Sequence, residues 1–259
     1  MWDATRSVRE WAVAGLWTLY LVMWIGGVGS YAIFGGVRPG DEWTAPLFLA
    51  LAGLIVLSDT AGPRRGALLL AGLLGFAAEW IGLRTGLLFG EYRYTDVLAP
   101  PVLGVPLVMI AAWLVLVAYV DEVAATRSWR APLRVAAGAG LLTAIDLVID
   151  PLAAGPLGYW TWVDGGVYYG VPAHNFGGWF VVGGLILAVL QFTPSRPLSA
   201  TSLRVGLSIV LFFTIIAAAK SLLLPALVGL AICLVHAKTA SRSSYQRGFA
   251  GMHTCDRTA

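Results

Sequence analysis

Four ionisable residues lie where charge is most costly in an apolar chain. Glu79 and Arg84 sit inside one long apolar run, 66–89, and Asp146 and Asp150 inside another, 132–150. An ionisable group within a membrane-spanning segment is expensive to bury and by default marks a functional site. Their spacing groups them further. Gly72, Gly75, Glu79, Gly82 and Gly86 follow steps of 3, 4, 3 and 4 and so share one helix face. Small residues in a stripe let a second helix approach closely, so Glu79 is expected to face protein rather than lipid. Ala139, Thr143, Asp146 and Asp150 follow steps of 4, 3 and 4, which puts both aspartates on one face. Pro151 disfavours helical geometry at Asp150 and is expected to end the helix there. Glu79 and Arg84 are five residues apart, about 140° round a helix, which argues against a direct bond between them.

A carboxyl group in low dielectric can keep its proton and donate it at neutral pH. Aromatic faces stabilise a nearby cation, and aromatics are dense after Asp150, where Trp160, Trp162, Tyr168 and Tyr169 are interleaved with Gly and Pro. Carboxylic acid, aromatic wall and a lipid setting together suit protonation of an alkene, a carbocation intermediate and its capture by water. A lipid-soluble polyene is the natural substrate for such a site. The plainer alternatives are a buried structural pair for Glu79 and Arg84, and an interfacial aromatic belt for the tryptophans and tyrosines. His174, His236 and His253 are spread too widely for a His-rich metal site. No phosphate loop, dinucleotide fingerprint or nucleophile elbow occurs, so neither metal nor cofactor is expected.

These residues need a scaffold that the composition identifies. Of 259 residues, 58 % are hydrophobic and only 12 % charged, against about 25 % charged in ordinary globular domains. That is too little polar surface for a soluble fold and too much apolar content for disorder. Two cysteines, Cys233 and Cys255, exclude a disulfide scaffold. The chain is expected to be an all-α, polytopic integral membrane bundle forming a single domain over 1–259. The expected spans are 11–34, 44–58, 66–89, 102–120, 132–150, 176–192, 203–219 and 222–236. The last two are separated only by Lys220 and Ser221, so one kinked helix, and seven spans, is the alternative. With eight spans, thirteen of the 17 Lys and Arg residues fall on one side, Arg84 lies inside a span, and Arg38, Arg93 and Lys220 fall on the other. The positive-inside rule then favours eight spans in the plasma membrane with both termini cytoplasmic. The first run lacks a small-residue cleavage site and reads as a retained span. The segment 151–175 is an extracytoplasmic loop without Lys or Arg, expected to fold back on the bundle, and 238–259 is a polar cytoplasmic tail. The formal charge of +3 is spread through short loops, so nucleic acid is not an expected partner.

Three blocks are more specific than composition. They are Glu79-Trp80-Ile81-Gly82-Leu83-Arg84-Thr85-Gly86 with Phe89-Gly90-Glu91-Tyr92-Arg93-Tyr94, then Asp146 to Pro151 with Gly158-Tyr159-Trp160-Thr161-Trp162, and Tyr168-Tyr169-Gly170-Val171-Pro172 with Asn175-Phe176-Gly177-Gly178-Trp179. Over roughly 75–180 the chain resembles the CruF-type carotenoid hydratases. The resemblance implies a membrane enzyme of carotenoid biosynthesis that adds water across the terminal 1,2 double bond of an acyclic ψ-end, leaving a tertiary 1-hydroxyl. Its implied partners are a carotenoid substrate, water, membrane lipids and other enzymes of the pathway. It carries over Glu79, Arg84, Asp146, Asp150 and Asn175 as motif positions. On depth in the membrane, Asp146 is the expected acid, Asp150 the base, Glu79 the rival acid, and Arg84 a residue that positions a carboxylate. Trp80, Tyr92, Tyr94, Trp160, Trp162, Tyr169, Asn175, Phe176 and Trp179 are the expected substrate contacts. Two other readings stand beside it: a retinal-binding photoreceptor or pump using Lys220, and a transporter or assembly factor using intramembrane carboxylates as relays.

Overall fold

The computed structural model describes residues 4–193 and 198–238. Eight helices form an all-α bundle: α1 (Ala4–Ala32), α2 (Thr44–Ser58), α3 (Gly62–Thr85), α4 (Met109–Ala125), α5 (Ala131–Ala154), α6 (Ala173–Leu190), α7 (Ala200–Ala219) and α8 (Leu223–Lys238). Five of them, α1, α3, α5, α6 and α7, are long and apolar enough to cross a membrane, so this is a membrane protein. The other three are shorter than the roughly 20 residues of a full span. α4 is central: α2, α3, α5 and α7 pack around it, and Trp113, Leu114, Val117 and Tyr119 on its several faces are buried.

The 238–259 tail lies, beyond Lys238, outside the described residues. At the junction left open by the sequence, α7 ends at Lys220 and a turn through Ser221 starts a separate α8. Lys220 Nζ donates to the Gly35 carbonyl at 3.0 Å. A Schiff-base lysine belongs in mid-helix, so this placement removes the ground for the retinal reading.

Close packing explains the glycine stripe. Gly75 lies under Trp113 of α4, where a Cβ would come within 2.1 Å of the indole. Only a residue without a side chain lets α3 and α4 meet there, and the stripe faces a helix as its spacing predicts. α4 itself begins at Met109 rather than at 102. The preceding residues form a hairpin in which β2 (Pro101–Val102) pairs with β3 (Val105–Pro106). Its two turn residues, Leu103 and Gly104, both have positive φ, 55° and 90°, the backbone that a tight two-residue hairpin demands.

Pro151 does not end α5, which continues to Ala154 with the proline inside it. A proline in mid-helix leaves the carbonyl four residues back without its donor. Here that carbonyl belongs to Leu147, and the Tyr168 hydroxyl donates to it at 2.9 Å. The 151–175 segment thus repairs the helix it leaves, and it folds back on the bundle. α6 starts at Ala173, three residues before the expected 176, which brings Asn175 into its first turn. Between the helices, β1 (Tyr92–Tyr94) pairs antiparallel with β4 (Trp160–Trp162), Tyr92 opposite Trp162 and Tyr94 opposite Trp160. This two-stranded sheet closes one end of the bundle, next to the C-termini of α3 and α5.

The opposite, basic end holds a cluster that the span boundary at 120 concealed. Arg64 Nη2 reaches Asp121 Oδ2 at 2.7 Å, and Arg134 Nη2 lies 3.7 Å from Asp121 Oδ1. Glu122 Oε2 accepts the backbone N–H of Ser199 at 3.1 Å. The cluster ties together α3, α4, α5 and the start of α7. Arg64, Asp121 and Glu122 are all buried, and removing one partner of a buried ion pair typically costs about 3–5 kcal/mol. Arg64→Met is therefore expected to lower the thermal midpoint of the detergent-solubilised protein sharply. Arg127→Met, at an exposed site, is expected to shift stability by no more than about 0.5 kcal/mol.

Candidate active site

Glu79 on α3 is 5 % exposed, and Asp146 and Asp150 on α5 are each 1 % exposed. Each carboxyl is held by neutral donors. Glu79 Oε2 accepts from the hydroxyls of Tyr92 and Tyr94, the latter at 3.0 Å, and Oε1 accepts from the Trp113 indole at 3.1 Å. Asp150 Oδ1 accepts from the Trp160 indole at 2.8 Å. The Asn175 amide nitrogen donates both to Asp150 Oδ2, at 2.6 Å, and to Asp146 Oδ2, at 2.8 Å. Among the described residues no Lys or Arg pairs with any of the three. The site is therefore a set of carboxyls in a neutral, hydrogen-bonding wall rather than an ion-pair network.

The small sheet supplies much of that wall. Strand side chains two residues apart share a face, so Tyr92 and Tyr94 reach Glu79 together, while Trp160 on the paired strand reaches Asp150. Burial, with the Glu79 carboxyl close by, pushes the phenols of Tyr92 and Tyr94 up from their ordinary value, which keeps them donors. Asn175 reaches the two aspartates because α6 begins close against the chain that follows α3. A Cβ at Gly178, one turn on, would fall 1.9 Å from the Leu88 carbonyl, so glycine is required for that approach.

Glu79 and Asp150 face one small cavity of about 20 Å³, lined also by Tyr92, Tyr94, Trp160, Trp162, Asn175 and Trp179. That is room for about one water molecule. Trp179 stacks on Trp113, ring centroids 4.4 Å apart and planes at 11°, so the wall is rigid on that side. The buried indole N–H of Trp162 makes no well-formed hydrogen bond among the described residues, although the indole lies against the Asp150 carboxyl. Asp146 does not line the cavity and lies behind the Asn175 amide. Depth along the helix, which singled out Asp146, is not the same as access to the cavity; one turn nearer the helix end, Asp150 meets the sheet.

Four of the expected site residues lie elsewhere. Arg84 is exposed and sits beside Glu91 and Arg93 in a surface cleft that shares only Tyr92 and Tyr94 with the carboxyl cavity, as expected from an angle of about 140° between it and Glu79. Trp80 is 37 % exposed on the outer face of α3. Tyr169 is exposed, and its hydroxyl accepts the Leu224 N–H at 3.3 Å. Phe176 packs edge-on against Tyr168. Trp113, in contrast, was unmarked in the sequence among the apolar residues of its helix. An indole N–H in such a run needs an acceptor when buried, and Glu79 on the neighbouring glycine-rich helix is the one it finds.

Fold and site together define a polytopic helical membrane protein with a buried, cation-free carboxyl site under an aromatic cap. Residues 43–236 match the family of carotenoid biosynthesis proteins, and the chain belongs to that family. It is also 28 % identical over 213 residues, 73 % of this chain and 69 % of the relative, to bisanhydrobacterioruberin hydratase of Haloarcula japonica. Both findings bear out the resemblance to CruF-type carotenoid hydratases carried by the motifs. No solved structure matches the chain.

Proposed function

We propose that the protein is a cofactor-independent carotenoid 1,2-hydratase, acting on the acyclic ψ-end of a carotenoid with the basic end and both termini in the cytoplasm. The observation that carries this reading is the placement of Glu79 and Asp150, from different helices, on one water-sized cavity walled by aromatic rings. The hydratase activity named for the 28 % identical relative supports it.

In this mechanism the Asp146–Asn175–Asp150 unit holds the proton, and Asp150, its member on the cavity, delivers it to C2 of the terminal alkene. The π pair forms the new C2–H bond and leaves a tertiary cation at C1. The faces of Trp160 and Trp179 and the Glu79 carboxylate stabilise that charge. Water in the cavity, beside the Trp162 indole, attacks C1. Glu79, which as an ionised group can only accept hydrogen bonds, takes the proton the water loses. The net change is addition of H and OH, and returning the proton from Glu79 to Asp150 resets the site. This reading moves the acid from Asp146 to Asp150 and assigns no step to Arg84. Expressed in a bacterial strain that accumulates lycopene, the protein is expected to yield 1-hydroxylated pigment. Unchanged lycopene, with the protein verified in the membrane, would overturn the proposal.

A further inference from the structure

Behind the carboxyl cavity lies a second space, about 60 Å³ and wholly apolar, between α2, α4 and α7. Met109, Trp160 and Trp179 form walls of both. Tyr159 lines this apolar pocket and also a cleft of about 870 Å³ between α1, α2 and α7, whose lining is mostly apolar along the helices and carries Arg38 and Asp41 where the α1–α2 loop borders it. The three spaces therefore share walls in sequence: cleft and apolar pocket share Tyr159, and apolar pocket and carboxyl cavity share Met109, Trp160 and Trp179. Tyr31 of α1 and Tyr159 both line the cleft, so the side chain shared by cleft and pocket faces the helix that borders the cleft. That helix lies at the edge of the bundle. Only 6 % of its apolar stretch is buried, and at Gly26, which lines the cleft, a Cβ would meet nothing within 4 Å.

Resting on the hydratase reading, we infer that this series is the carotenoid-binding tunnel: the polyene chain lies in the cleft beside α1, its acyclic end passes Tyr159 into the apolar pocket, and Met109, the flexible member of the shared wall, moves aside so that the terminal alkene meets Asp150. The occupant follows from the chemistry of the path. The inner pocket has no polar lining, so it takes a hydrocarbon end, and at about 60 Å³ it favours a slim open chain over a ring bearing several methyl groups. The outer cleft borders a helix exposed along most of its length, so a long apolar molecule reaches it sideways from the bilayer. The bound molecule is held at one end only, and the tunnel selects for an open chain at that end.

Binding separates this inference from the hydration reading. Purified protein in nanodiscs is titrated with lycopene, and with β-carotene, whose ends are both rings, following quenching of tryptophan fluorescence. Asp150→Asn, used to prevent turnover, is expected to bind lycopene saturably and β-carotene at least tenfold more weakly. Adding Gly26→Phe, which fills the cleft without a backbone clash, is expected to weaken lycopene binding at least tenfold; in the otherwise wild-type enzyme it raises KM with kcat within about twofold. Leu21→Phe, at an exposed position of α1, is expected to change neither. Elution of Gly26→Phe as a monodisperse peak identical to wild type shows that it is folded; should it not elute so, Ala45→Phe on the facing wall takes its place with the same expected loss. Unaltered lycopene binding and KM in the folded, filled variant would overturn the tunnel even if hydroxylated product forms. Loss of binding in that variant, with no hydroxylated product from wild type, would uphold the tunnel and sink the hydration reading alone.

Discussion

Asp150→Asn is expected to lower the yield of 1-hydroxy product by about 10²–10⁴-fold, the usual contribution of a general acid, with the protein still folded and inserted. The substitution removes the proton at little change of shape. The Asn carbonyl can accept from only one of the two donors that Asp150 now meets, the Trp160 indole and the Asn175 amide, so a loss of stability of about 1–3 kcal/mol is expected beside the loss of product. The comparison that gives the result its meaning is Asp146→Asn. Both aspartates accept from the Asn175 amide, but only Asp150 lines the cavity, so the loss at Asp146 should be the smaller. Equal or reversed losses, measured as initial rates on lycopene, would return the acid role to Asp146.

Glu79→Gln is expected to cost a comparable factor in kcat, for a different reason, and to destabilise the protein as well. Glu79 receives three donors, from Tyr92, Tyr94 and Trp113. A glutamine amide turns one acceptor into a donor, so at least one of those groups loses its partner, at about 1–3 kcal/mol for a buried polar group. The two effects separate by experiment. Tyr94→Phe in the Glu79→Gln background removes one displaced donor and is expected to recover part of the thermal stability without recovering turnover. Turnover in Glu79→Gln near the wild-type rate would exclude Glu79 from the proton path.

Periodicity in the sequence was enough to place Glu79 against a helix and both aspartates on one face, because in an apolar helix the small and the ionisable residues mark the interior side. It was enough, too, to divide α7 from α8, through the charge balance of the loops. It did not reach what depends on contacts between distant segments. Asn175 stands in a helical first turn because of Gly178 and Leu88, some 90 residues apart in sequence. The pairing of β1 with β4, which sets Tyr92, Tyr94 and Trp160 around the carboxyls, joins two loops that no local signal connects. Pro151 misled the reading of α5 because the hydroxyl that replaces its missing donor comes from Tyr168, in the following loop. The buried ion cluster of Arg64, Asp121 and Glu122 was hidden because Arg64 was counted as a loop charge and the span was ended at 120, one residue before Asp121.

The central claim is that the hydroxyl group comes from water and the hydrogen at C2 from a solvent-exchangeable acid. Wild-type protein in nanodiscs, given lycopene in oxygen-18 water prepared with deuterium oxide, tests both halves in one mass spectrum. The account predicts a 1-hydroxy product carrying oxygen-18 in the hydroxyl and one non-exchangeable deuterium at C2, formed equally well without dioxygen. A hydroxyl that takes its oxygen from dioxygen, or a product without deuterium at C2, would contradict it.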